Sequence, residues 1–259
     1  MSLRFSMEIL AFIKLHDVLA LMWLLGGWFA YTRFAKRKAK TTDCLASVLH
    51  RYRVDWMERL LSREQRVADA ALLANIERNV SFFASTTLLV LAGLVTALAA
   101  ADKVQLTLEL LPFASSVSTQ ELELKFLILI SIFIYAFFTF TWSLRQFGFV
   151  SVLLGAAPQL DDDSENPAAI RRYAKYTAKV LDQAGHSFNY GLRSYYFALA
   201  SMAWFIDARL MAFSVTVVII VLYIREFRSS SLSAMLNIDE GFEGERENVE
   251  AVSKNVNRG

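Results

Sequence analysis

Cysteine is almost absent from this 259-residue sequence. The single Cys44 excludes an internal disulfide and carries no information about the cellular compartment. The sequence also contains no CxxC, GxGxxG, GxxxxGK(S/T), HExxH or GxSxG pattern, so it offers no local redox, nucleotide-binding, zinc-protease or hydrolase motif. Charge of one sign is equally scarce, because the formal net charge is only +2. A basic field on the scale of a nucleic-acid-binding domain is therefore excluded, and we expect no nucleic-acid partner.

Apolar residues are what the sequence has in excess. They make up 55% of the chain, which contains 20 Phe and has a mean hydropathy of +0.37. They fall into runs of about 17 to 24 residues, and each run is long enough to cross a hydrocarbon core about 30 Å thick. We therefore predict an all-α integral membrane protein. Its five predicted spans are about 8–31, 80–101, 124–144, 187–206 and 209–224; an alternative has four spans, with 194–224 as one broken segment.

Lysine and arginine set the predicted orientation of these spans. A basic cluster follows the first span directly, and such clusters are retained on the cytoplasmic side of a membrane. The cluster consists of Arg33, Lys36, Arg37, Lys38 and Lys40. The segment 102–123 contains four acidic residues and one lysine, as an external loop should. The amino terminus is therefore predicted to face outwards and the carboxyl terminus to face the cytoplasm.

Two further helices are predicted outside the membrane. Residues 42–78 repeat apolar side chains at spacings of three and four, which indicates an amphipathic cytoplasmic helix that lies on the membrane or packs on another subunit. A second cytoplasmic helix is predicted at 167–185, because Asn166 suits the N-cap and Pro167 suits the first helical position.

The predicted domain organisation is simple. Residues 1–232 form one membrane domain, and 233–259 form a charged, disordered cytoplasmic tail.

An inner belt of polar residues is predicted at the cytoplasmic ends of the spans. It comprises Asn79, Arg145, Gln146, His186, Asn189, Arg193, Arg225 and Glu226. His186, Asn189 and Arg193 are three and four residues apart, so they share one face of a helix. Guanidinium groups bind anions through forked hydrogen bonds, and the belt is therefore a candidate site for an inorganic ion, a small carboxylate or phosphate, or an anionic lipid headgroup. In the alternative, Arg145 and Arg225 are flanking charges that snorkel and Arg193 pairs with Glu226.

An outer belt is predicted at the opposite ends of the spans. Its members are Lys14, His16, Asp17, Asp207 and Arg209. Because His titrates near neutrality, the belt could be a proton-sensitive gate, but we favour an ion-pair clasp between the first span and the hairpin.

No metal site or cofactor is predicted. His16 and His186 are predicted on opposite sides of the bilayer and cannot share one ion, and Cys44 has no His close to it in sequence. The hydroxyl residues of the second span, Ser81 to Thr87, are predicted to pack helices together; lining a pore is the alternative.

Three stretches together carry a family resemblance. They are 79–87, NVSFFASTT; 137–146, FFTFTWSLRQ; and 186–197, HSFNYGLRSYYF, with 223–227, YIREF. Their order and spacing resemble the bacterial membrane family catalogued as domain of unknown function 599, over roughly residues 8–230. The resemblance implies a multi-pass protein of the bacterial inner membrane. It implies no activity.

These features lead to one functional expectation with two alternatives. We expect an oligomeric channel or transporter for a small anionic solute, with the inner belt as its cytoplasmic mouth. A non-catalytic scaffold or regulatory subunit acting through 42–78 is the first alternative, and a membrane enzyme acting on lipid is the second. A transporter predicts polar residues around a water-filled space, whereas a scaffold predicts that the apolar face of 42–78 is exposed.

Overall fold

The chain forms a bundle of long helices that run back and forth along one axis. The computed structural model describes residues 15–110, 118–160 and 166–238. The helices in these residues are α1 (Leu15–Lys38), α2 (Leu45–Leu61), α3 (Val67–Ala99), α4 (Ala101–Glu109), α5 (Thr119–Gly155), α6 (Pro167–Met202), α7 (Ala208–Phe227) and α8 (230–238). A 3-10 turn, Ala203–Phe205, joins α6 to α7. No strand occurs within the described ranges, so the predicted all-α fold is confirmed.

Four segments are long and apolar enough to cross a membrane. They are Leu15–Lys38, Val67–Ala99, Thr119–Gly155 and Ala208–Ile238. Large apolar side chains cover the outer surfaces of these helices; for example, Leu89 is 75% exposed and Phe213 is 67% exposed. Such a wide apolar surface is unfavourable in water. The chain is therefore a membrane protein. The predicted fourth span, 187–206, coincides with the second half of α6 and its turn, and the count of five spans stays a prediction.

Local capping explains where α5 and α6 begin. The Ser118 side chain accepts a hydrogen bond from the backbone N–H of Glu121, whose carboxylate accepts the Ser118 N–H in return. Asn166 accepts the N–H of Ala169, and Pro167 occupies the first turn. α6 therefore begins at Pro167, where the sequence predicted a helix to begin; its cytoplasmic location stays a prediction.

The predicted single helix 42–78 is two helices in the structure. α2 ends at Leu61, and the chain turns before α3 begins at Val67. The turn is fixed by the buried Asp69, which accepts hydrogen bonds from the Trp56 ring N–H and from Arg63. These contacts join residues on both sides of the break. The sequence contains no Gly or Pro there, so no local signal indicates it.

The apolar face of α2 is buried against its own chain. Val48, Met57 and Leu60 are each at most 2% exposed, and they pack mainly towards α6. The beginning of the predicted tail also packs here. Residues 230–238 are helical rather than disordered, because Leu232 is buried and Tyr52 donates a hydrogen bond to the Met235 carbonyl. Residues 239–259 lie outside the described ranges.

Aromatic rings fill the middle of the bundle. Phe140 of α5 is fully buried and stacks on Phe83 of α3, with ring centroids 5.5 Å apart. Its ring lies against Gly191 of α6, where an added Cβ would be only 2.5 Å from the ring. α5 and α6 can therefore approach this closely only because residue 191 has no side chain.

Candidate functional site

A partly open cavity of about 390 Å³ lies at the end of the bundle where α1 and α7 finish. We call it the vestibule. Its walls come from α1, α2, α5, α6 and α7, and α6 contributes the largest share. The lining residues are Ala35, Lys36, Ala39, Ala46, Gln146, Gln183, His186, Ser187, Asn189, Tyr190, Arg193 and Glu226. Five residues of the predicted inner belt are thereby brought together around one space.

A second cavity of about 170 Å³ adjoins the vestibule. The two cavities share Ala46, His186, Asn189, Arg193 and Glu226. The second cavity adds two more guanidinium groups, from Arg53 of α2 and Arg225 of α7. Together the walls of the two cavities carry four Lys or Arg side chains and one carboxylate, which makes this end of the bundle attractive to anions.

Arg193 sits where the two cavities meet. Its side chain is 15% exposed, and its Nη2 atom lies 3.6 Å from Oε2 of Glu226. The guanidinium also lies over the rings of Tyr31 and Tyr190, at 5.5 and 5.7 Å from their centroids. Glu226 accepts a second contact, from the Ala46 N–H at the start of α2, at 3.2 Å. The predicted Arg193–Glu226 pair is therefore present, and both residues still face the cavities.

Asp182 lies behind His186 on α6 and joins it to α2. Its Oδ2 atom is 3.2 Å from His186 Nε2 and 3.4 Å from His50 Nδ1, and its Oδ1 atom accepts a hydrogen bond from Arg53. Burial alone would raise the pKa of Asp182, but the hydrogen bond from His186 and the charge on Arg53 outweigh it, and the pKa is lowered below 3.8. The carboxylate is therefore ionised at neutral pH and holds the His186 ring in place.

The other inner-belt residues are divided between the cavities and the outer surface. Arg225 lines the second cavity and donates to the Tyr196 hydroxyl at 2.6 Å. Gln146 lines the vestibule and accepts a hydrogen bond from Ser187 at 2.7 Å. Arg145 is exposed and lies over the ring of Phe149, and Asn79 is also exposed. Neither of these last two lines a cavity, because each is on the outward face of its helix.

The outer belt is arranged differently from its prediction. Asp17 is buried and accepts a 2.5 Å hydrogen bond from the ring N–H of Trp204 in the turn after α6. Its cationic partner is Lys125 of α5, with Nζ 3.9 Å from Oδ1 of Asp17. Lys125 also donates to the Trp204 carbonyl at 3.0 Å. A clasp between α1 and the hairpin exists, but it is made by Trp204 and Lys125.

The other outer-belt residues that the structure describes have different surroundings. Asp207 caps α7 by accepting the Arg209 N–H at 2.7 Å. His16 and Arg209 are exposed, since the buried face of α1 runs through Asp17 and Ala20 and turns His16 outwards. Lys14 lies outside the described residues.

Several residues at these two ends of the bundle were not predicted from the sequence. They are Lys36, Arg53, Lys125, Asp182 and Ser187. Asp182 could have been found by extending the spacing of the polar face backwards, because it precedes His186 by four residues. Lys36 and Arg53 carry no such signal, since their positions depend on how α1 and α2 pack against α6.

Beside the vestibule, α3, α5 and α6 are packed closely together. The Thr87 hydroxyl and the Tyr195 hydroxyl are hydrogen bonded at 2.8 Å, and Thr87 is fully buried. The rings of Phe83, Phe133 and Phe140 each lie within 6.0 Å of the Tyr195 ring, centroid to centroid. Thr87 therefore packs helices together. Phe138, by contrast, points outwards with 65% of its surface exposed.

The chemistry available at the vestibule is that of anion binding. Guanidinium, ammonium and side-chain amide donors converge on one space, where they can bind carboxylate or phosphate oxygens. Among the described residues, no three His, Cys, Asp or Glu side chains are grouped so that they could hold a metal ion.

Comparison with known proteins gives one match. Residues 19–231 match the model of the family described as "Protein of unknown function, DUF599". No curated protein and no solved structure matches the chain. The match covers all the residues that line the vestibule, as well as Lys125 and Trp204 at the opposite end. With most of its length matched, the chain belongs to the DUF599 family.

Proposed function

We propose that this protein carries a small anionic solute across the bacterial inner membrane, and that the vestibule is its cytoplasmic binding site. In this proposal α1 enters from outside, α7 ends in the cytoplasm, and α6 completes five spans. The vestibule then opens towards the cytoplasm, where the basic residues that follow α1 also lie.

The observation that supports the proposal is the position of Arg193. A guanidinium that is 15% exposed, pairs with one carboxylate among the described residues and faces two cavities retains donors for another anion. Charged groups within a membrane protein are costly and commonly mark the path of a substrate or ion. Asn189 and His186 lie one and two turns earlier on the same helix face and offer further hydrogen bonds to the same ligand.

Aromatic packing beyond Arg193 favours a carrier over an open pore. Phe197 lies one turn beyond Arg193 on the same face of α6, is fully buried and stacks on Trp28 of α1 with ring centroids 5.4 Å apart, so a solute bound in the vestibule meets these rings. Passage requires α6 to move relative to α1, as gated transporters do around a fixed site. We also propose that the protein forms homo-oligomers, which a mass measurement in lipid nanodiscs would test.

The position of α2 bears on the scaffold alternative. A scaffold acting through 42–78 needs an exposed apolar face, but Val48, Met57 and Leu61 are buried against the protein's own helices. The α2 part of this surface is therefore largely occupied, whereas Val67 and Leu72 at the start of α3 are 76% and 56% exposed. The vestibule remains the better basis for a function.

Transport is tested with the purified protein in liposomes. Uptake of chloride, nitrate and acetate would be compared for the parent and for the double variant Arg193→Gln/Glu226→Gln, which removes both charges of the pair and leaves no unpaired buried ion. We expect flux of at least one anion in the parent and its loss in the double variant, because the main cation of the site is gone.

Arg145→Gln supplies the matched control. Arg145 is also an arginine of the predicted inner belt, but it is exposed and lines neither cavity. Its variant should transport at the rate of the parent. Equal flux in the parent, the double variant and protein-free liposomes would overturn the proposal for these anions. Equal loss of flux in the double variant and in Arg145→Gln would show that Arg193 has no specific role in anion binding.

A further inference from the structure

A groove runs along the outside of the bundle between α1 and α7. Its volume is about 550 Å³, and its walls include Trp23, Gly26, Ala30, Phe34, Ile219 and Tyr223. The groove exists because Gly26 and Ala30 have little or no side chain on this face of α1. A Cβ added at Gly26 would meet no atom within 4 Å, so the space above this residue is open. The groove faces sideways, where the flanking Met22, Phe29 and Ile220 side chains are more than half exposed.

Two cations converge at one end of the groove. Lys38 Nζ donates to the Tyr223 hydroxyl at 3.0 Å and lies 4.8 Å from the centroids of both the Tyr223 and Phe227 rings. Arg228 also lies beside the Tyr223 hydroxyl. In the described part of the chain, neither Lys38 nor Arg228 pairs with a carboxylate. Within the described residues, no carboxylate therefore balances these two positive charges.

The length of the groove matches one leaflet of a bilayer. Its residues on α1 run from Met22 to Phe34, about 18 Å along a helix, whereas half of a hydrocarbon core is about 15 Å. An apolar slot of one-leaflet length, closed by two cations at the interface, has the shape and charge of a lipid site. Basic residues at this depth are where anionic headgroups bind.

We infer that the groove binds an anionic phospholipid of the inner leaflet. Its acyl chain lies over Gly26 and Ala30, and its phosphate lies beside Lys38 and Arg228. The unbalanced charge selects this occupant over a second copy of the chain, because an apolar helix would fill the slot but leave both cations without an anion. The inference concerns a different face from the vestibule and does not depend on transport.

Native mass spectrometry tests this inference on the whole chain. The protein, purified in detergent, is mixed with equal amounts of phosphatidylglycerol and phosphatidylcholine that have the same acyl chains. We expect the parent to retain phosphatidylglycerol preferentially, by roughly fivefold for each of the two cations. The double variant Lys38→Gln/Arg228→Gln should retain both lipids equally. Gly26→Phe, which fills the groove, should lose most of both.

Gly93→Phe is the matched control for the filled groove. Gly93 is another membrane-helix glycine with no atom within 4 Å of an added Cβ, but it lies on α3. Its variant should retain lipid as the parent does. Equal retention in the two glycine variants would overturn the inference, as would a headgroup preference that survives the loss of both cations. A Gly26→Phe protein that falls from oligomer to monomer would show that a second copy occupies the groove instead.

Discussion

Arg193 already holds an anion, the carboxylate of Glu226, so an incoming solute must compete with it. Glu226→Gln removes the competing charge, while the amide oxygen can still accept the Ala46 N–H. We expect anion affinity to rise roughly three- to tenfold, or about 1 kcal/mol, as suits a partly exposed ion pair. Isothermal titration of the detergent-purified protein with nitrate and acetate measures the change.

Glu77→Gln provides the comparison for this variant. Glu77 accepts a hydrogen bond from Ser151 and lines neither cavity, so its loss should leave the affinity unchanged. Binding that weakens in Glu226→Gln would mean that Glu226 helps to hold the solute, contrary to its assigned role as a competitor.

Among the described glycines, Gly191 has the least space for a side chain. In Gly191→Ala the new Cβ would be 2.5 Å from the Phe140 ring, which is buried on all sides and cannot move away freely. We expect the variant to be destabilised by about 1–3 kcal/mol, the usual cost of overpacking a core. Thermal unfolding in detergent should show a lower midpoint for Gly191→Ala. A Cβ added at Gly93 would meet no atom within 4 Å, so Gly93→Ala should not lower the unfolding midpoint.

At the scale of elements, Asp182 fastens α2 to α6. Its pKa is lowered in the folded protein, mainly by the hydrogen bond from His186 and the charge on Arg53, which overcome the opposing effect of burial. The ionised carboxylate therefore stabilises the fold above the unfolded-state pKa of about 3.9, and this contribution is lost as the pH falls through the lower folded-state pKa. We therefore expect the thermal unfolding midpoint of the protein to decrease when the pH is lowered below about 4.

Asp182→Asn isolates this contribution. The variant should be less stable at pH 7 by about 1–3 kcal/mol, because Arg53 loses its partly buried partner, and its midpoint should depend less on pH below 4. Asp43→Asn breaks the exposed pair with Arg51 and should change the stability by less than about 0.5 kcal/mol. An identical acid profile for Asp182→Asn and the parent would show that another group controls the loss.

The elements also show how far the sequence could predict the site. The spacing of His186, Asn189 and Arg193 predicted their common face, since helical periodicity is local and survives packing. The pairing of Asp17 with Lys125 was not predictable, because 108 residues separate them in the sequence. The break after Leu61 was missed because no Gly or Pro marks it.

At the scale of the whole molecule, the number of spans decides which side each loop faces. Five spans place Arg209 outside and Ser233 in the cytoplasm; both residues are exposed. In a Cys44→Ser background, which keeps a good N-cap for α2, Arg209→Cys should react with a membrane-impermeant maleimide on intact spheroplasts. Ser233→Cys should react only after permeabilisation. The reverse pattern would indicate four spans.

The uninterrupted length of α6 has a mechanical consequence. One rod of 36 residues, about 54 Å long, carries Asp182, the face of His186, Asn189 and Arg193, and the last turn before Trp204. Gly191 lies directly against Phe140 of α5 and is a natural pivot. A tilt of about 10° there would displace the Trp204 end by roughly 3 Å and the Asn166 end by roughly 6 Å in the opposite direction. Solute binding near Gly191 and the opening of the Trp204 end would then be coupled by a single tilt of α6.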